Sequence, residues 1–413
     1  MEDRALYQAI LGLSEPWTVE RVELREANQS VEVWVEARSG TTFTCPECGE
    51  RAPIYDRAER RWRHLDTCQF TTILCARVPR VECAVHGVKT VRVPWAAPGS
   101  RFTLLFERLA ISWLREATPS AVARRLGLSW DEAHGIMRRA VARGLVRRAA
   151  ESAARPVTRI GIDEKSFLKH HQYVSIVVDL DRRRVLHIAD DRKAESLTPY
   201  FEGLTQAERE GISAIAMDMW EPYRKTVRAY VPDADRRIVF DKFHVIAHVT
   251  SAVDQVRKQE HKALSKEGDT RLKGTKYAWL TNPKHFSRNA RRAFTVLRDS
   301  ALKTARAWAL KESLRPLWEY KYVGAARTFF KWWYSWAMRS QLEPMKKVAR
   351  LVKSHLENIL TYLTHRVTNA VTEGLNAKIQ WVKYSARGYR NPEAFKTAIL
   401  FHCGGLDLEP RFG

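Results

Sequence analysis

The strongest constraint on the fold is a metal-ligand spacing that occurs twice near the N-terminus. The stretch CPECG separates Cys45 and Cys48 by two residues, and CAVHG separates Cys83 and His86 in the same way. A glycine follows each pair and lets the backbone turn, so that both side chains reach one ion. Two matched pairs of this kind are typical of a tetrahedral structural Zn²⁺ site. We therefore predict an N-terminal domain held by zinc, rather than four ordinary buried side chains.

The segments between the two pairs, RRWRHLD and TTILCARVPRVEC, alternate in the manner of short strands. This region also contains Cys68 and Cys75, which do not fit the paired spacing. We interpret these two residues as buried thiols. A structural zinc site predicts a small domain held by metal, and it does not by itself imply contact with DNA.

The chain carries a large excess of positive charge. Its 413 residues include 70 Lys and Arg against 47 Asp and Glu, a formal net charge of +23. Such an excess favours a polyanionic partner, most simply nucleic acid, or an anionic membrane surface. No apolar run approaches the ~20 residues of a membrane-spanning helix, and the N-terminal MEDRALYQAI lacks an apolar signal core. We therefore expect a cytoplasmic protein with no membrane partner and no structural disulfides.

The stretch TPSAVARRLGLSWDEAHGIMRRAV carries the signals of two short helices joined by a tight turn. The residues that start or end these helices are Thr118, Pro119, Gly127, Ser129 and Glu132. The second helix has an apolar inner face, and we expect His134, Arg138 and Arg139 to face outward. This pattern favours a helix-turn-helix in which Arg138 and Arg139 contact DNA, with a generic helical hairpin as the alternative. The following ESAARPV is interpreted as a linker.

From Thr158 onward, the sequence changes to strand-like runs. TRIGIDEKSF, YVSIVVDLDR and RRVLHIAD predict three successive strands, and ISAIAMDMW and RRIVFDKFH predict two more that alternate with helices. This order predicts an α/β domain with a mixed sheet. Asp163 interrupts the first strand and Asp218 the fourth, and buried charge is costly unless it is paired or binds a metal. The two carboxylates therefore predict a divalent-cation site.

The segment VTNAVTEGLNAKIQWVK, residues 367–383, predicts a helix with one carboxylate on a face of amides. Asn369, Glu373, Asn376 and Gln380 recur at steps of four, three and four residues, which places them on one face. The opposite, apolar stripe consists of Val371, Leu375, Ile379 and Val382. An ordinary solvent-facing surface would carry Lys and Glu pairs, so the amides indicate a specific role for Glu373.

Most of the net positive charge lies in one segment. Residues 257–353 contain 24 Lys and Arg against 7 Asp and Glu, and the stretch 261–360 has a helical and aromatic character. Three tryptophans recur there at helical spacing: Trp332, Trp333 and Trp336. This spacing indicates core packing more often than stacking on an unpaired base. Trp220, two residues after Asp218, is a second candidate for stacking, and none of the four is assigned to the site.

In combination, GIDE, AMDMW, FDKFH and TNAVTEGLNAKI resemble the DDE transposases of bacterial insertion sequences, most closely the ISL3 family. The resemblance covers nearly the whole chain, because that family has a zinc-binding N-terminus, a helix-turn-helix and a catalytic domain in this order. It implies a multidomain α+β protein whose RNase H-like α/β catalytic domain is interrupted by an all-helical insertion. The expected domains are 1–98 (zinc-binding), 99–152 (helix-turn-helix), 153–260 (catalytic, first part), 261–360 (helical insertion) and 361–413 (catalytic, last part, with the Glu-bearing helix).

By the same resemblance, Asp163, Asp218 and Glu373 form a catalytic triad that holds two Mg²⁺ or Mn²⁺ ions. Hard oxygen ligands favour these ions over zinc, and two metals support an in-line phosphodiester displacement. The resemblance implies that water releases a 3′-OH at an element end, and that this 3′-OH then attacks target DNA. Asn376 and Gln380 are expected to contact DNA phosphates or to orient the metal ligands, and the same is expected of Asn369.

The motif FDKFH resembles an Asp-x-x-His element of transposases with such insertions. We interpret its Asp241 and His244 as structural, with Asp241 near the metals as the alternative.

Two functions remain compatible with the sequence, an active transposase and a catalytically silent, transposase-derived DNA-binding regulator. The intact set of three acids favours the transposase, and a nuclease without strand transfer explains the N-terminal modules less well. The expected partners are double-stranded DNA, as the terminal inverted repeats of the element and as target DNA. Two ends must be joined, so we expect a homodimer on DNA. The resemblance implies a bacterial, nucleoid-associated protein.

Overall fold

The computed structural model describes residues 3–168, 172–191 and 193–411. Within them the chain forms two units. The first contains the residues up to 150 together with 383–402 and 406–411, and the second contains 151–382 and 403–405. The domain boundaries expected from the sequence assigned all of 361–413 to the catalytic domain. The grouping of 383–402 with the N-terminal region was not foreseen.

A five-stranded sheet forms the N-terminal part of the first unit. In chain order, the elements are helix α1 (Asp3–Ile10) and strands β1 (Trp17–Arg25), β2 (Ser30–Ala37), β3 (Phe43–Thr44), β4 (Arg51–Ala52), β5 (Ile54–Arg63), β6 (Thr71–Cys83) and β7 (Gly87–Thr90). The sheet order is β1-β2-β6-β5, with β7 paired to β6, while β3 and β4 form a separate pair. Alternate residues of β2, Val31, Val33 and Val35, are buried with Leu74 and Trp62. The predicted strands are confirmed, although β6 is thirteen residues long because it pairs with three neighbours.

The two cysteines outside the matched pairs differ in environment. Cys75 is fully buried on β6, and burial raises the pKa of its thiol to about 11. Cys68 is exposed in the connection between β5 and β6, where its backbone φ is +55°. The interpretation of Cys68 as a buried thiol is therefore wrong. A short connection that reverses the chain between two paired strands lies at the surface.

The first unit continues with three helices, α2 (Leu104–Glu116), α3 (Pro119–Leu126) and α4 (Trp130–Ala154). The predicted start and stop signals of α3 and α4 are confirmed. Thr118 Oγ1 accepts a hydrogen bond from the Ala121 N–H, and Gly127 ends α3 with φ of +65°. The Glu132 N–H donates to Ser129 Oγ, and the Ser129 N–H donates to the Glu132 carboxylate, which completes the capping box. The linker prediction is wrong over much of ESAARPV, because α4 continues into that segment.

The second unit contains a mixed five-stranded sheet. In chain order, its strands are β8 (Arg159–Leu168), β9 (Gln172–Asp179), β10 (Arg184–Ala189), β11 (Ala214–Met217) and β12 (Ile238–Phe240). The sheet order is β10-β9-β8-β11-β12, in which β8, β9 and β10 are antiparallel neighbours and β11 runs parallel to β8 and β12. The predicted mixed sheet is confirmed. Between its strands lie the helices α5 (Thr198–Glu202), α6 (Gln206–Gly211), α7 (Glu221–Tyr230) and α8 (Ala234–Arg237).

The cationic segment is helical, as its composition predicted. The helices are α9 (Lys242–Lys266), α10 (Lys276–Leu280), α11 (Arg288–Arg298), α12 (Lys303–Leu314), α13 (Val323–Arg339), α14 (Glu343–Ser354) and α15 (Leu356–His365). They share one apolar core with the mixed sheet, in which Trp279 and Trp333 are fully buried. The chain ends with α16 (Ala370–Ser385) and α17 (Pro392–Cys403). Among the described residues, no helix has the length and apolar character to cross a membrane.

Candidate active site and metal centre

The four residues of the two matched pairs converge at one point. One ligand atom from each of Cys45, Cys48, Cys83 and His86 lies within 4.8 Å of the other three. A tight turn after β3 presents the first pair, because the Cys45 N–H donates to the Glu50 carbonyl and the Gly49 N–H donates to the Cys45 carbonyl. The second pair lies where β6 turns into β7. Three thiolates and one imidazole at this spacing suit a structural zinc ion.

The surroundings of Cys83 favour its thiolate form. Hydrogen bonds from the backbone N–H groups of His86 and Val85, together with the His86 ring, lower the pKa of Cys83 to about 6. The Cys83 Sγ lies 3.5 Å from His86 Nδ1, and the Cys48 Sγ lies 3.8 Å from the Cys83 Sγ. Because thiolates rather than thiols bind metals, this environment favours ligation near neutral pH.

Two carboxylates lie on neighbouring parallel strands of the mixed sheet. Asp163 is on β8 and is only 9% exposed, and Asp218 follows the last residue of β11. Burial raises the pKa of the Asp163 carboxyl, and the charge of Asp218 adds to the shift. By contrast, the fully buried Asp179 is paired with Arg182 and Arg184 at 3.0 and 3.4 Å. No described Lys or Arg makes such an ion pair with Asp163, which leaves its charge available to a cation.

The Asp-x-x-His element adds two groups to this site. His244 Nδ1 lies 3.2 Å from Asp218 Oδ2, and this contact raises the pKa of His244 to about 9. For Asp218, burial opposes ionisation, but the hydrogen bond and charge of His244 outweigh it and lower the pKa. Asp241 is 3% exposed, caps α9 through Oδ1, and has no hydrogen-bond partner at Oδ2. Burial raises the pKa of Asp241 to about 6, and the carboxylates of Glu373 and Asp163 contribute to the rise.

The helix that carries Glu373 begins later than predicted. α16 starts at Ala370, so Asn369 precedes the helix and is fully buried instead of sharing the exposed face. Glu373 is exposed, and Asn376 is half-buried. The Asn376 Nδ2 donates to Asp163 Oδ2 at 2.7 Å, which ties α16 to β8. The buried stripe of α16 is Thr372, Leu375, Ile379 and Val382, with Val371 only half-buried.

A glycine allows α16 to approach the sheet closely. A Cβ atom at Gly161 would lie 2.5 Å from Thr372 Oγ1 and 3.0 Å from Asn369 Oδ1, both of which are too short. Gly161 and Asp163 are two residues apart on β8 and therefore face the same side of the sheet. The start of α16 packs against that side. The importance of Gly161 was missed in the sequence, although its place two residues before the first acid in GIDE was a usable signal.

The three acids are less tightly grouped than the zinc ligands. In the parts of the chain that the structure describes, the Cys and His cluster is the one group of three or more potential ligands with atoms all within 4.8 Å. Asp163 and Asp218 both interact with His244, and Asp163 and Glu373 both interact with Asp241. Their oxygen donors have the chemistry of a site for hard divalent cations.

In the helix-turn-helix, the two arginines predicted to face DNA differ. Arg138 is exposed. Arg139 donates through Nε to the fully buried Glu107 of α2 at 2.7 Å, and Arg143 donates to the other oxygen of Glu107 at 3.0 Å. The prediction that Arg139 faces outward is therefore wrong. A buried carboxylate needs a positive charge beside it, and Arg139 and Arg143 of α4 supply that charge to Glu107.

The tryptophans also separate into two classes. Trp333 is fully buried, and its Nε1–H donates to the Leu310 carbonyl at 2.9 Å, which confirms core packing. Trp332 is 55% exposed and Trp220 is 39% exposed. These two rings are accessible from solvent, while Trp336 packs beside Trp332 with ring centroids 5.5 Å apart.

Comparison with known proteins decides the family. A family model described as a transposase, of the DDE type in ISL3, matches residues 160–399, more than half of the chain. The chain belongs to the ISL3 family of DDE transposases. The helix-turn-helix domain of transposase family ISL3 matches residues 91–141, and the zinc-finger of transposases IS204, IS1001, IS1096 and IS1165 matches residues 41–86. The predicted order of zinc-binding, helix-turn-helix and catalytic regions is therefore confirmed.

Relatives of known family match this transposase over nearly its whole length. It is 29% identical to the transposase for insertion sequence element IS1557 of Mycobacterium tuberculosis, over 98% of this chain and 96% of the relative. It is 28% identical to the transposase for insertion sequence element IS1001 of Bordetella parapertussis, over 97% of this chain and 98% of the relative. The transposase is a DNA-binding enzyme of a family that cleaves DNA and transfers strands, and a silent regulator is not favoured.

Proposed function

We propose that this transposase binds the terminal inverted repeats of an insertion sequence and uses Asp163, Asp218 and Glu373 as its catalytic carboxylates. The observation that carries the proposal is the docking of α16 on β8, where Asn376 donates to Asp163 and Gly161 permits close approach. This docking brings the helix that bears Glu373 to the strand that bears Asp163. This contact gives a structural reason for an amide residue beside Glu373 on α16, because Asn376 binds the Asp163 carboxylate.

The proposed fold of the catalytic domain is RNase H-like. It is supported by the antiparallel strands β10, β9 and β8, followed by β11 and β12 parallel to β8. In this proposal, the helices from α10 to α14 lie in the insertion that separates Asp218 from Glu373, and the insertion ends within α15. The catalytic domain would then consist of 153–260 and the start of 361–413, interrupted by 261–360.

The proposed metal site fits the donors of the chain. Asp163, Asp218 and Glu373 offer carboxylate oxygens, the donors preferred by Mg²⁺ and Mn²⁺, and the unpartnered Oδ2 of Asp241 adds a fourth near them. When bound, two such ions activate the attacking oxygen and stabilise the leaving oxygen of the phosphodiester. Asn376 holds the Asp163 carboxylate, and His244 orients that of Asp218. We retain Gln380 as a proposed DNA contact and assign Asn376 to orientation.

Cleavage of labelled element-end duplexes by the purified full-length protein tests this function. We expect nicking at the element end in Mg²⁺ or Mn²⁺, followed by joining of the released 3′-OH to a target plasmid. Protein without added metal is the control. Failure to cut any end sequence taken from the flanks of the encoding element would contradict the proposal.

The proposed assembly is a homodimer on DNA, in the bacterial cytoplasm and associated with the nucleoid. A transposition event joins two element ends to one target, and two catalytic centres in a symmetric dimer meet that need. The helix-turn-helix supplies end recognition in this proposal, with Arg138 on the exposed side of α4.

Arg138 and Arg139 are expected to respond differently to substitution. Arg138→Ala should weaken DNA binding by about 1–3 kcal/mol if it reads a base, and relax specificity at that position. Arg139→Ala should instead lower the melting temperature, because Glu107 loses one of its two paired charges. Filter binding and thermal unfolding of both variants separate the roles. A destabilised Arg138→Ala with unchanged DNA affinity would reverse the assignment.

Gly161→Ala is expected to impair catalysis without loss of DNA binding. The added methyl group collides with Thr372 Oγ1 and with Leu180 Cδ2, which a Cβ would approach to 2.5 and 2.9 Å. α16 must then shift, and misplacement of a catalytic group by ~1 Å costs roughly 10²-fold in rate. Gly211→Ala is the matched control, since a Cβ there meets nothing within 4 Å. Equal cleavage rates for the two variants would show that α16 does not need this close contact.

A further inference from the structure

The first unit contains a cleft beside the helix-turn-helix that no assigned function uses. It has a volume of about 880 Å³ and opens between the start of α3 and the loop 386–391 that follows α16. Thr118, Arg124 and Trp130 line one side. The loop, with Arg387 and Arg390, lines the other.

The lining of this cleft is positively charged, and its arginines can bind an anionic ligand. Its lining includes Arg124, Arg387 and Arg390 but no Asp or Glu, and all three arginines are exposed. In the part of the chain that the structure describes, none of the three guanidinium groups forms an ion pair. Two acids on the adjoining helices are already paired: Glu132 lies 3.1 Å from Arg101, and Glu393 lies 2.8 Å from Lys396.

The loop has a defined shape. The Gly388 N–H donates to the Lys383 carbonyl at 2.9 Å, and Gly388 has φ of +97°, which only glycine adopts readily. Tyr389 packs against Phe395 of α17 with ring centroids 5.2 Å apart. Asn391 Oδ1 accepts a hydrogen bond from the Glu393 N–H and caps α17. These contacts hold Arg387 and Arg390 at the rim of the cleft instead of leaving them on a free tail.

The cleft lies on the side of the helix-turn-helix that suits nucleic acid. Both α3 and α4 begin there, at Pro119 and Trp130. Helix N-termini carry partial positive charge and free N–H groups, so they reinforce the arginines toward phosphate. In a helix-turn-helix, the first helix crosses the DNA backbone while the start of the second faces the bases.

We propose that this cleft holds the phosphate backbone of the duplex that the helix-turn-helix reads, with the loop 386–391 as a second DNA-binding element. The proposal rests on the proposed function, in that it takes the helix-turn-helix as the end-binding module. Arg387 and Arg390 each donate to phosphate oxygens on the strand that passes over α3, and a guanidinium matches that geometry. In the chain, the loop follows directly after α16, the helix that carries Glu373.

Salt-dependent binding by the full-length double variant Arg387→Ala/Arg390→Ala tests the loop. The probes are a labelled element-end duplex and a random duplex, in metal-free buffer from 50 to 300 mM salt. Each lost phosphate contact should reduce the slope of log affinity against log salt by about 0.9, so the double variant should lose about 1.8. At 0.1 M salt the affinity should fall about tenfold or more for both probes alike, because phosphate contacts carry no sequence information.

Two further variants make the result specific. Arg387→Lys/Arg390→Lys keeps the charge and should retain most of the parent slope. Arg4→Ala/Arg38→Ala removes the same charge from exposed positions outside the cleft lining and should leave the slope unchanged. An unchanged slope in the alanine variant, or an equal loss in the Arg4/Arg38 control, would overturn the proposal. The parent's end cleavage in Mg²⁺ is measured separately, so a failure of the proposed function is distinguishable from a failure of the loop.

Discussion

Glu373→Gln is expected to abolish both end cleavage and strand transfer while leaving DNA binding intact. The substitution keeps the size of the side chain and removes its charge, so α16 should remain docked on β8 through Asn376. If Glu373 holds metal together with Asp163 and Asp218, one missing ligand disables the centre that serves both steps. The cleavage rate should fall by roughly 10³-fold or more, and DNA affinity at the site should hold or rise because carboxylate–phosphate repulsion is removed.

The neighbouring acid Glu164 provides the control. Glu164→Gln alters a residue beside Asp163 that faces the opposite side of β8, because side chains alternate along a strand. Gel assays of end cleavage and of joining to a target, in Mg²⁺ and in Mn²⁺, compare the two variants with the parent. Asp163→Asn and Asp218→Asn should match Glu373→Gln, and their combination should add little, because the site fails as a unit. Cleavage by Glu373→Gln at the parent rate would remove Glu373 from the triad.

Local chemistry explains which features could be predicted from the sequence. Helix caps depend on residues that are close in sequence. The caps at Thr118 and Gly127 and the Ser129–Glu132 capping box could therefore be predicted, and all are present in the structure. Strand alternation and two acids in apolar runs likewise depend on short segments. The zinc ligands could be predicted because the same short spacing occurs twice, although Cys45 and His86, which meet at the site, are 41 residues apart in sequence.

The features that were missed depend on partners distant in sequence. Asn369 is buried because Gly161 brings α16 against β8, a contact between segments about 200 residues apart, and helical periodicity carries no information about it. Arg139 points inward because it pairs, together with Arg143, with the buried Glu107, which lies 32 residues before Arg139. The segment 383–402 joins the first unit through tertiary contacts. Sequence patterns predicted the three acids and the strands and helix that carry them. Tertiary packing determines which polar residues lie beside these acids.

The last expected result concerns the N-terminal metal. Purified protein should contain about one Zn²⁺ per chain, and Cys48→Ser should lose it, since the four ligand atoms lie within 4.8 Å of one another and one missing thiolate opens the site. Residues 40–90 should then exchange amide hydrogens faster. The sheet should persist, because Val33, Leu74 and Trp62 form an apolar core that does not include the metal ligands.

Cys68→Ser is the matched control for this experiment. Cys68 is an exposed cysteine of the same region that takes no part in the metal cluster, so its substitution should leave the zinc content unchanged. Metal content by mass spectrometry and hydrogen exchange of residues 40–90 are measured on the parent and both variants, purified without chelator. Zinc in Cys48→Ser equal to that in Cys68→Ser would contradict the four-ligand site. Loss confined to Cys48→Ser would tie the fold of this segment to the ion, because binding free energy in a structural zinc site is also folding free energy.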